Sequence, residues 1–170
     1  IRNSDTEVLR FVAENPGDAS AWHMLAVIAI RHGRPDEAIE LCDKAIRLDR
    51  RSALFLSALG VAHAEAGHSD EAARCFKRAL KERPDYAEAH YNLGNALSAL
   101  GFRQDALACY DLAIKLRPQY AAAHFNRGNI LYDLARWEDA AAAFRQALDA
   151  DPGHPDLDAA FNLARSLHRA

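Results

Sequence analysis

The sequence lacks a long apolar run, although half of its 170 residues are hydrophobic. The longest unbroken run, Met24 to Ile30, is far shorter than the roughly 20 residues that a membrane-spanning helix needs. The first residues include an acid, Asp5, and no apolar core of a signal peptide. We therefore expect no membrane association and a cytoplasmic location.

An excess of basic charge is also missing. The chain carries 21 Lys and Arg against 24 Asp and Glu, which gives a formal net charge of -3. Proteins that bind a phosphate backbone usually present a broad field of Lys and Arg. Nucleic acid is therefore not an expected partner.

Sequence motifs of catalysis and metal binding are absent. There is no H-E-x-x-H, no G-x-S-x-G and no glycine-rich phosphate loop. Cys42, Cys75 and Cys109 form no C-x-x-C pair, and we interpret them as reduced packing residues. The eight histidines do not cluster at the spacing of metal ligands. We predict that the chain is not an enzyme and has no catalytic residue, metal site or cofactor.

What the sequence does contain is a period of 34 residues. Small residues recur at fixed places in each period, as expected where two helices cross closely. One such set is Ala38, Ala72, Ala106 and Ala140. The period predicts four complete repeats, at 19–52, 53–86, 87–120 and 121–154. Residues 1–18 then form the second helix of an incomplete repeat, which suggests a longer parent protein, and residues 155–170 form a capping helix.

Each repeat has the pattern of a helix, a tight turn and a second helix. Gly33, Gly67 and Gly101 occupy the turns, where glycine can take the left-handed conformation that ends a helix. Acidic residues follow in the first turn of the second helix, where the helix dipole favours negative charge. Proline closes three of the repeats, since it cannot continue a helix.

Two segments carry a family resemblance most clearly, AEAHYNLGN at 87–95 and AAAHFNRGN at 121–129. Together with the later A-x3-F and closing proline, they resemble the tetratricopeptide repeat, with His90 and His124 in place of its tryptophan. The resemblance covers residues 19–154. It implies an all-α fold, a right-handed α-solenoid of stacked antiparallel helix pairs that binds another polypeptide.

The resemblance also implies a concave groove lined by the first helix of each repeat. In the third and fourth repeats the groove positions are amide and aromatic. An asparagine offers both a donor and an acceptor, so it can pair with a peptide backbone of any sequence, and aromatic rings add flat apolar surface. The predicted binding residues for an extended peptide are Asn92, Asn95, Asn126, Asn129, Tyr91, Phe125 and Tyr132.

The four asparagines form a ladder, in which equivalent amides stand one repeat apart. Other interpretations of this ladder stay open. The asparagines could instead fix the packing of adjacent first helices. Within the family, the ladder is similar to that of the repeat arm of O-linked N-acetylglucosamine transferases, which implies a substrate-guiding arm of a larger enzyme. Chaperone tails are not expected, because the Lys and Arg that would grip them are replaced by residues such as Ser20, Leu54 and Glu88.

A further alternative is a self-assembling scaffold, with a second copy of the chain as the partner. Val8 and Phe11 near one end, and Phe161 and Leu163 near the other, could present unfinished stacking surface.

A separate question is Arg127, which stands where the other repeats have leucine. A buried guanidinium needs a partner, and we expect Asp158 of the capping helix or the rim of the groove.

Overall fold

The computed structural model describes residues 10–151, 162, 163, 165, 167 and 168. All regular secondary structure in these residues is helical, and five residues from Arg10 to Glu14 form a helical turn before the first complete helix. Eight complete helices follow within residues 19–150. They are α1 (Ala19–Arg31), α2 (Pro35–Leu48), α3 (Ala53–Glu65), α4 (Ser69–Glu82), α5 (Ala87–Ala99), α6 (Arg103–Leu116), α7 (Ala121–Asp133) and α8 (Trp137–Ala150).

Successive helices pack as pairs: α1 with α2, α3 with α4, α5 with α6 and α7 with α8. A short left-handed turn reverses the chain within each pair. The glycines predicted for three of these turns, Gly33, Gly67 and Gly101, have φ of 65°, 80° and 84°, which confirms the prediction. In the fourth turn Ala135 takes the same conformation with φ 57°, at a steric cost of about 1 to 2 kcal/mol that glycine would avoid.

The helices form two compact units, Ile1–Pro84 and Asp85–Ala170. In the first unit, α3 also packs against α1 and α2. Its core is apolar and includes Val12, Leu25, Leu59 and Cys75. Phe11, which the sequence analysis placed at a packing position, is instead 47% exposed, while its neighbour Val12 is 4% exposed. The packing side of this turn was therefore predicted one residue too early; Val8 lies outside the described residues.

The cysteines behave as packing residues in the first unit. Cys42 and Cys75 are buried free thiols. Burial raises the pKa of Cys42 to about 12, so the reactive thiolate is not populated near neutral pH. Cys109 in the second unit is also a free thiol and is half-buried.

In the second unit, small residues meet large ones where paired helices cross. The ring of Tyr110 on α6 lies over Gly94 of α5, and the ring of Phe144 on α8 lies over Gly128 of α7. Both rings are almost fully buried, with exposures of 2% and 0%. This packing positions the outward side of α5 and α7, on which the candidate site lies.

Candidate functional site

All seven residues predicted to bind a peptide lie on α5 and α7 of the second unit, and each is partly buried. They occupy matching places on the two helices because the sequence period brings equivalent residues to the same helical face. The residues on α5 are Tyr91, Asn92 and Asn95, and those on α7 are Phe125, Asn126, Asn129 and Tyr132.

Hydrogen bonds between side chains connect α5 to α7. The amide nitrogen of Asn126 donates to Oδ1 of Asn95 at 2.9 Å and to the hydroxyl of Tyr91 at 3.2 Å. The same Asn95 oxygen accepts a bond from the hydroxyl of Tyr110 at 2.8 Å. Both N–H groups of Asn126 and both lone pairs of the Asn95 oxygen are thereby used inside the protein.

Tyr110 is a member of this network that the sequence analysis did not predict. The sequence pattern does not single it out, because its ring fills the place that Phe76 and Phe144 fill in other repeats. Its hydroxyl was the available signal, since a buried tyrosine needs a hydrogen-bond partner and phenylalanine would have packed as well. Burial raises the pKa of Tyr110, so its hydroxyl remains protonated and acts as the donor to Asn95.

At the other end of the face, α7 contacts residues that follow it in the chain. The side-chain nitrogen of Asn162 donates to Oδ1 of Asn129 at 3.3 Å. Arg165 donates to the hydroxyl of Tyr132 at 2.8 Å, and its guanidinium carbon lies 4.7 Å from the centre of that ring. Asn129 thus uses its oxygen internally, as Asn95 does.

The remaining polar groups define what this face can offer a ligand. Within the described residues, the side chain of Asn92 makes no hydrogen bond, and neither do the amide nitrogens of Asn95 and Asn129. Those three amides can therefore bond a ligand without breaking a hydrogen bond to a described residue. Asn126 is different, because its nitrogen would first have to break its hydrogen bonds to Asn95 and Tyr91.

A pocket of about 350 Å³ opens on this face. Its volume falls in the range of roughly 300 to 1,000 Å³ that is common for ligand pockets. Its lining is mainly polar and includes one acid, Asp133, which makes no ion pair within the described part of the chain. We call it the amide pocket; its lining residues are Asn95, Ser98, Ala99, Tyr110, Asn126, Asn129, Ile130 and Asp133.

The predicted aromatic residues lie at the edge of the core rather than free on the surface. The ring of Tyr91 lies 4.9 Å from that of Tyr120, measured between ring centres. Phe125 lies 5.8 Å from Phe144, and Tyr132 lies 4.9 Å from Trp137. Each ring is therefore held in place by a neighbour and keeps one partly exposed side.

Arg127 also lies on α7, but its partner differs from the expected one. Its Nε donates to Oδ1 of Asp111 on α6 at 2.6 Å. Asp158, the expected partner, lies outside the described residues. The ion pair gives Arg127 a role in holding α7 against α6, which corrects the expectation of a contact with the groove rim.

Among the residues with a described structure, no helix combines the length and apolarity that crossing a membrane requires. Across the same ranges, no three His, Cys, Asp or Glu residues form a potential metal site. His124 instead is buried and donates from Nε2 to the carbonyl of Pro118 at 2.9 Å, which is a packing role.

Comparisons with protein families agree with the helical period. Models described as tetratricopeptide repeat match residues 17–81, 91–155 and 133–170, and a TPR repeat model matches residues 65–101. Together these matches extend without a break from residue 17 to residue 170.

Individual proteins similar to the chain include both a curated relative and solved structures. The cytochrome c-type biogenesis protein CycH of Rhizobium meliloti is 40% identical over 78 residues, which are 44% of this chain and 20% of that protein. The chain spans only 12 to 20% of the length of the curated relatives it matches.

Two solved structures share the fold. TTC0263, a thermophilic TPR protein of Thermus thermophilus, has a TM-score of 0.79 and 24% identity over 96% of this chain and 89% of that one. YrrB, described as a TPR protein with an unusual peptide-binding site, has a TM-score of 0.76 and 25% identity over 95% of this chain and 82% of that one. These likenesses confirm the predicted all-α solenoid class.

Proposed function

Because the chain belongs to the tetratricopeptide repeat family, we propose that it is a protein-interaction module that binds an extended peptide on the outward face of α5 and α7. The observation that carries this proposal is the amide pocket, where the nitrogens of Asn95 and Asn129 make no hydrogen bond to a described residue. YrrB, a protein of the same fold, is described as having a peptide-binding site. The proposed module is cytoplasmic and acts without catalysis or a cofactor.

In this proposal the amide nitrogens bond the carbonyl groups of the peptide. Asn95 and Asn129 are equivalent residues on two helices, 34 residues apart in sequence. An extended chain advances about 3.3 to 3.6 Å per residue, and successive residues face opposite sides. Two carbonyls on the same side of an extended peptide would therefore meet the two asparagines, while Tyr91, Phe125 and Tyr132 contact its side chains.

The internal hydrogen bonds are compatible with this role. Asn95 uses its oxygen to hold Asn126 and Tyr110, which orients its nitrogen without occupying it. A group held in one rotamer before binding loses less conformational entropy when the ligand arrives. The amide oxygen of Asn95 thus serves helix packing, and its amide nitrogen is the group that would bind the peptide.

A first test uses Asn92, whose side chain has no internal hydrogen bond among the described residues. A peptide is selected from a random display library against the whole chain, and its affinity is measured by calorimetry. We expect Asn92→Ala to weaken binding by about 0.5 to 1.5 kcal/mol, or about two- to twelvefold, with no loss of stability. Arg145→Ala, an exposed position on α8, is the control and should leave the affinity unchanged.

A second test separates the two ends of Asn95. Asn95→Asp keeps an oxygen that accepts from Tyr110 and Asn126 but replaces the nitrogen donor by an oxygen. We expect peptide binding to fall at least tenfold while folding is retained, because a donor is lost and a carboxylate faces the peptide carbonyl. Gln104→Glu adds the same charge on α6, outside the pocket, and should have little effect. Equal losses in both variants would refute a direct contact.

The scaffold alternative is favoured by one observation, the exposure of apolar residues toward the ends of the described chain. Phe11 is 47% exposed and Leu167 is 54% exposed. Phe161 lies outside the described residues, and Leu163 is half-buried. Light scattering over a concentration series tests self-assembly, since a strict monomer at high concentration would refute it.

The likeness to the repeat arm of glycosyltransferases stays a prediction. In the first unit, Met24 and Ala58 occupy the places of Asn92 and Asn126, so the ladder is confined to the second unit. The sequence of a longer parent protein would test it, because a substrate-guiding arm requires a catalytic domain in the same polypeptide.

A further inference from the structure

We propose that the amide pocket takes a Lys or Arg side chain of the bound peptide, with Asp133 as its counter-charge. This inference rests on the proposed function and specifies the kind of peptide that binds. Its first support is the charge of the lining: of the eight lining residues, one is acidic and none is basic. The pocket therefore attracts a cation and repels a second carboxylate.

The position of Asp133 has no structural explanation within the described residues. It is the last residue of α7, where the helix dipole disfavours a negative charge by roughly 0.3 to 1 kcal/mol. No described side chain pairs with it, and no basic residue lies in the last turn of α7. An exposed acid that weakens its own helix and pairs with no described side chain is open to a ligand.

The neighbours of Asp133 suit the hydrogen-bonding head of a basic side chain. Ser98 makes no hydrogen bond with its hydroxyl in the described residues, so it can accept from an ammonium or guanidinium group. Ala99, at the equivalent place to Asp133 on α5, is small and exposed, which leaves room for a long aliphatic stem. The pocket thus combines a charged acceptor, a neutral acceptor and space.

The same face already holds a cation from the chain itself. Arg165 donates to the hydroxyl of Tyr132, the residue next to Asp133, and lies over its ring. A guanidinium group is therefore compatible with the chemistry at this end of α7. The peptide residue would place a second cation at Asp133.

The test compares three forms of the whole chain: wild type, Asp133→Asn and Asp149→Asn. Asp149 is the matched control because it is also an exposed acid in the last turn of a helix, α8, and lies outside the pocket. Each form is used to select peptides from the same random twelve-residue display library. We expect a Lys or Arg at one fixed position in the peptides selected by wild type and by Asp149→Asn, but not in those selected by Asp133→Asn.

The affinity of one selected peptide then gives the size of the effect. We expect Asp133→Asn to weaken it about three- to tenfold, as for a partly exposed ion pair strengthened by hydrogen bonds. The same peptide with citrulline for arginine, or acetyl-lysine for lysine, should bind Asp133→Asn and wild type equally. Asp149→Asn should bind the parent peptide like wild type.

The outcomes distinguish this inference from the proposed function. If peptides bind wild type and lose affinity with Asn92→Ala, but Asp133→Asn has no effect, the cation site is refuted and the peptide site stands. If Asp149→Asn weakens binding as much as Asp133→Asn, net charge alone explains the preference and the cation site is again refuted. If the library yields no binding peptide for wild type, both proposals fail.

Discussion

The crossing of α3 and α4 leads to a prediction whose sign depends on one neighbouring side chain. A Cβ atom placed on Gly60 would lie 2.6 Å from Cε1 of Phe76 and 2.9 Å from its Cδ1 and Cζ. Phe76 is only 1% exposed, so its ring has no open space to move into. Gly60→Ala should therefore strain the packing between the two helices.

Two opposing terms decide the size of this effect. Overpacking a core typically costs about 1 to 3 kcal/mol. Alanine in place of glycine inside a helix contributes about 1 kcal/mol in the other direction. The net destabilisation expected for Gly60→Ala is thus roughly 0 to 2 kcal/mol. The first helix pair has Ala26 and Cys42 at the equivalent places, so a smaller partner accompanies the larger residue there.

The decisive measurement is a double-mutant cycle with Phe76→Leu. Leucine lacks the outer ring atoms Cε1 and Cζ that the new methyl group would meet. In this background Gly60→Ala should become stabilising by up to about 1 kcal/mol, because only the helix propensity remains. Urea denaturation followed by circular dichroism gives the free energies of unfolding. If Gly60→Ala costs the same in both backgrounds, the close contact with Phe76 is not what requires glycine.

Three other perturbations test the packing and the electrostatics. Ala140→Leu should destabilise the chain by about 1 to 3 kcal/mol, since Ala140 is fully buried, and an unchanged thermal melt would contradict the assigned crossing. Burial lowers the pKa of His23 and His63 below 6.5, so below that pH the unfolded chain binds more protons than the folded one. The free energy of unfolding should therefore fall as pH drops from about 7 toward about 5, and His23→Gln with His63→Gln should flatten that curve measured by urea titration. Arg127→Met should cost less than about 1 kcal/mol, because its partner Asp111 is largely exposed, and a loss above about 2 kcal/mol would show that the ion pair is stronger than its exposure implies.

The proposed peptide-binding residues show which features of the site could be predicted from the sequence and which could not. The seven binding residues could be predicted from the period, because equivalent residues in a repeating helix pair point to the same side. Their hydrogen bonds could not. The bond between Asn126 and Asn95 joins residues 31 apart, and the bond between Tyr110 and Asn95 joins residues 15 apart. Such contacts depend on the distance and rotation between helices, which the period leaves undetermined.

By itself, the sequence determined the helical period, the turns and the family, because each depends on local signals that recur every 34 residues. A left-handed glycine and an acid at a helix start each act within a few residues of chain, and the small residues at helix crossings recur at the same place in each repeat. The tertiary structure alone decided that Asp111 is the partner of Arg127 and that Val12, not Phe11, is buried. It also left Asp133 without a described partner at the edge of a pocket. The partner of a side chain depends on the distance between helices in three dimensions. That distance cannot be read from the spacing of residues along the chain.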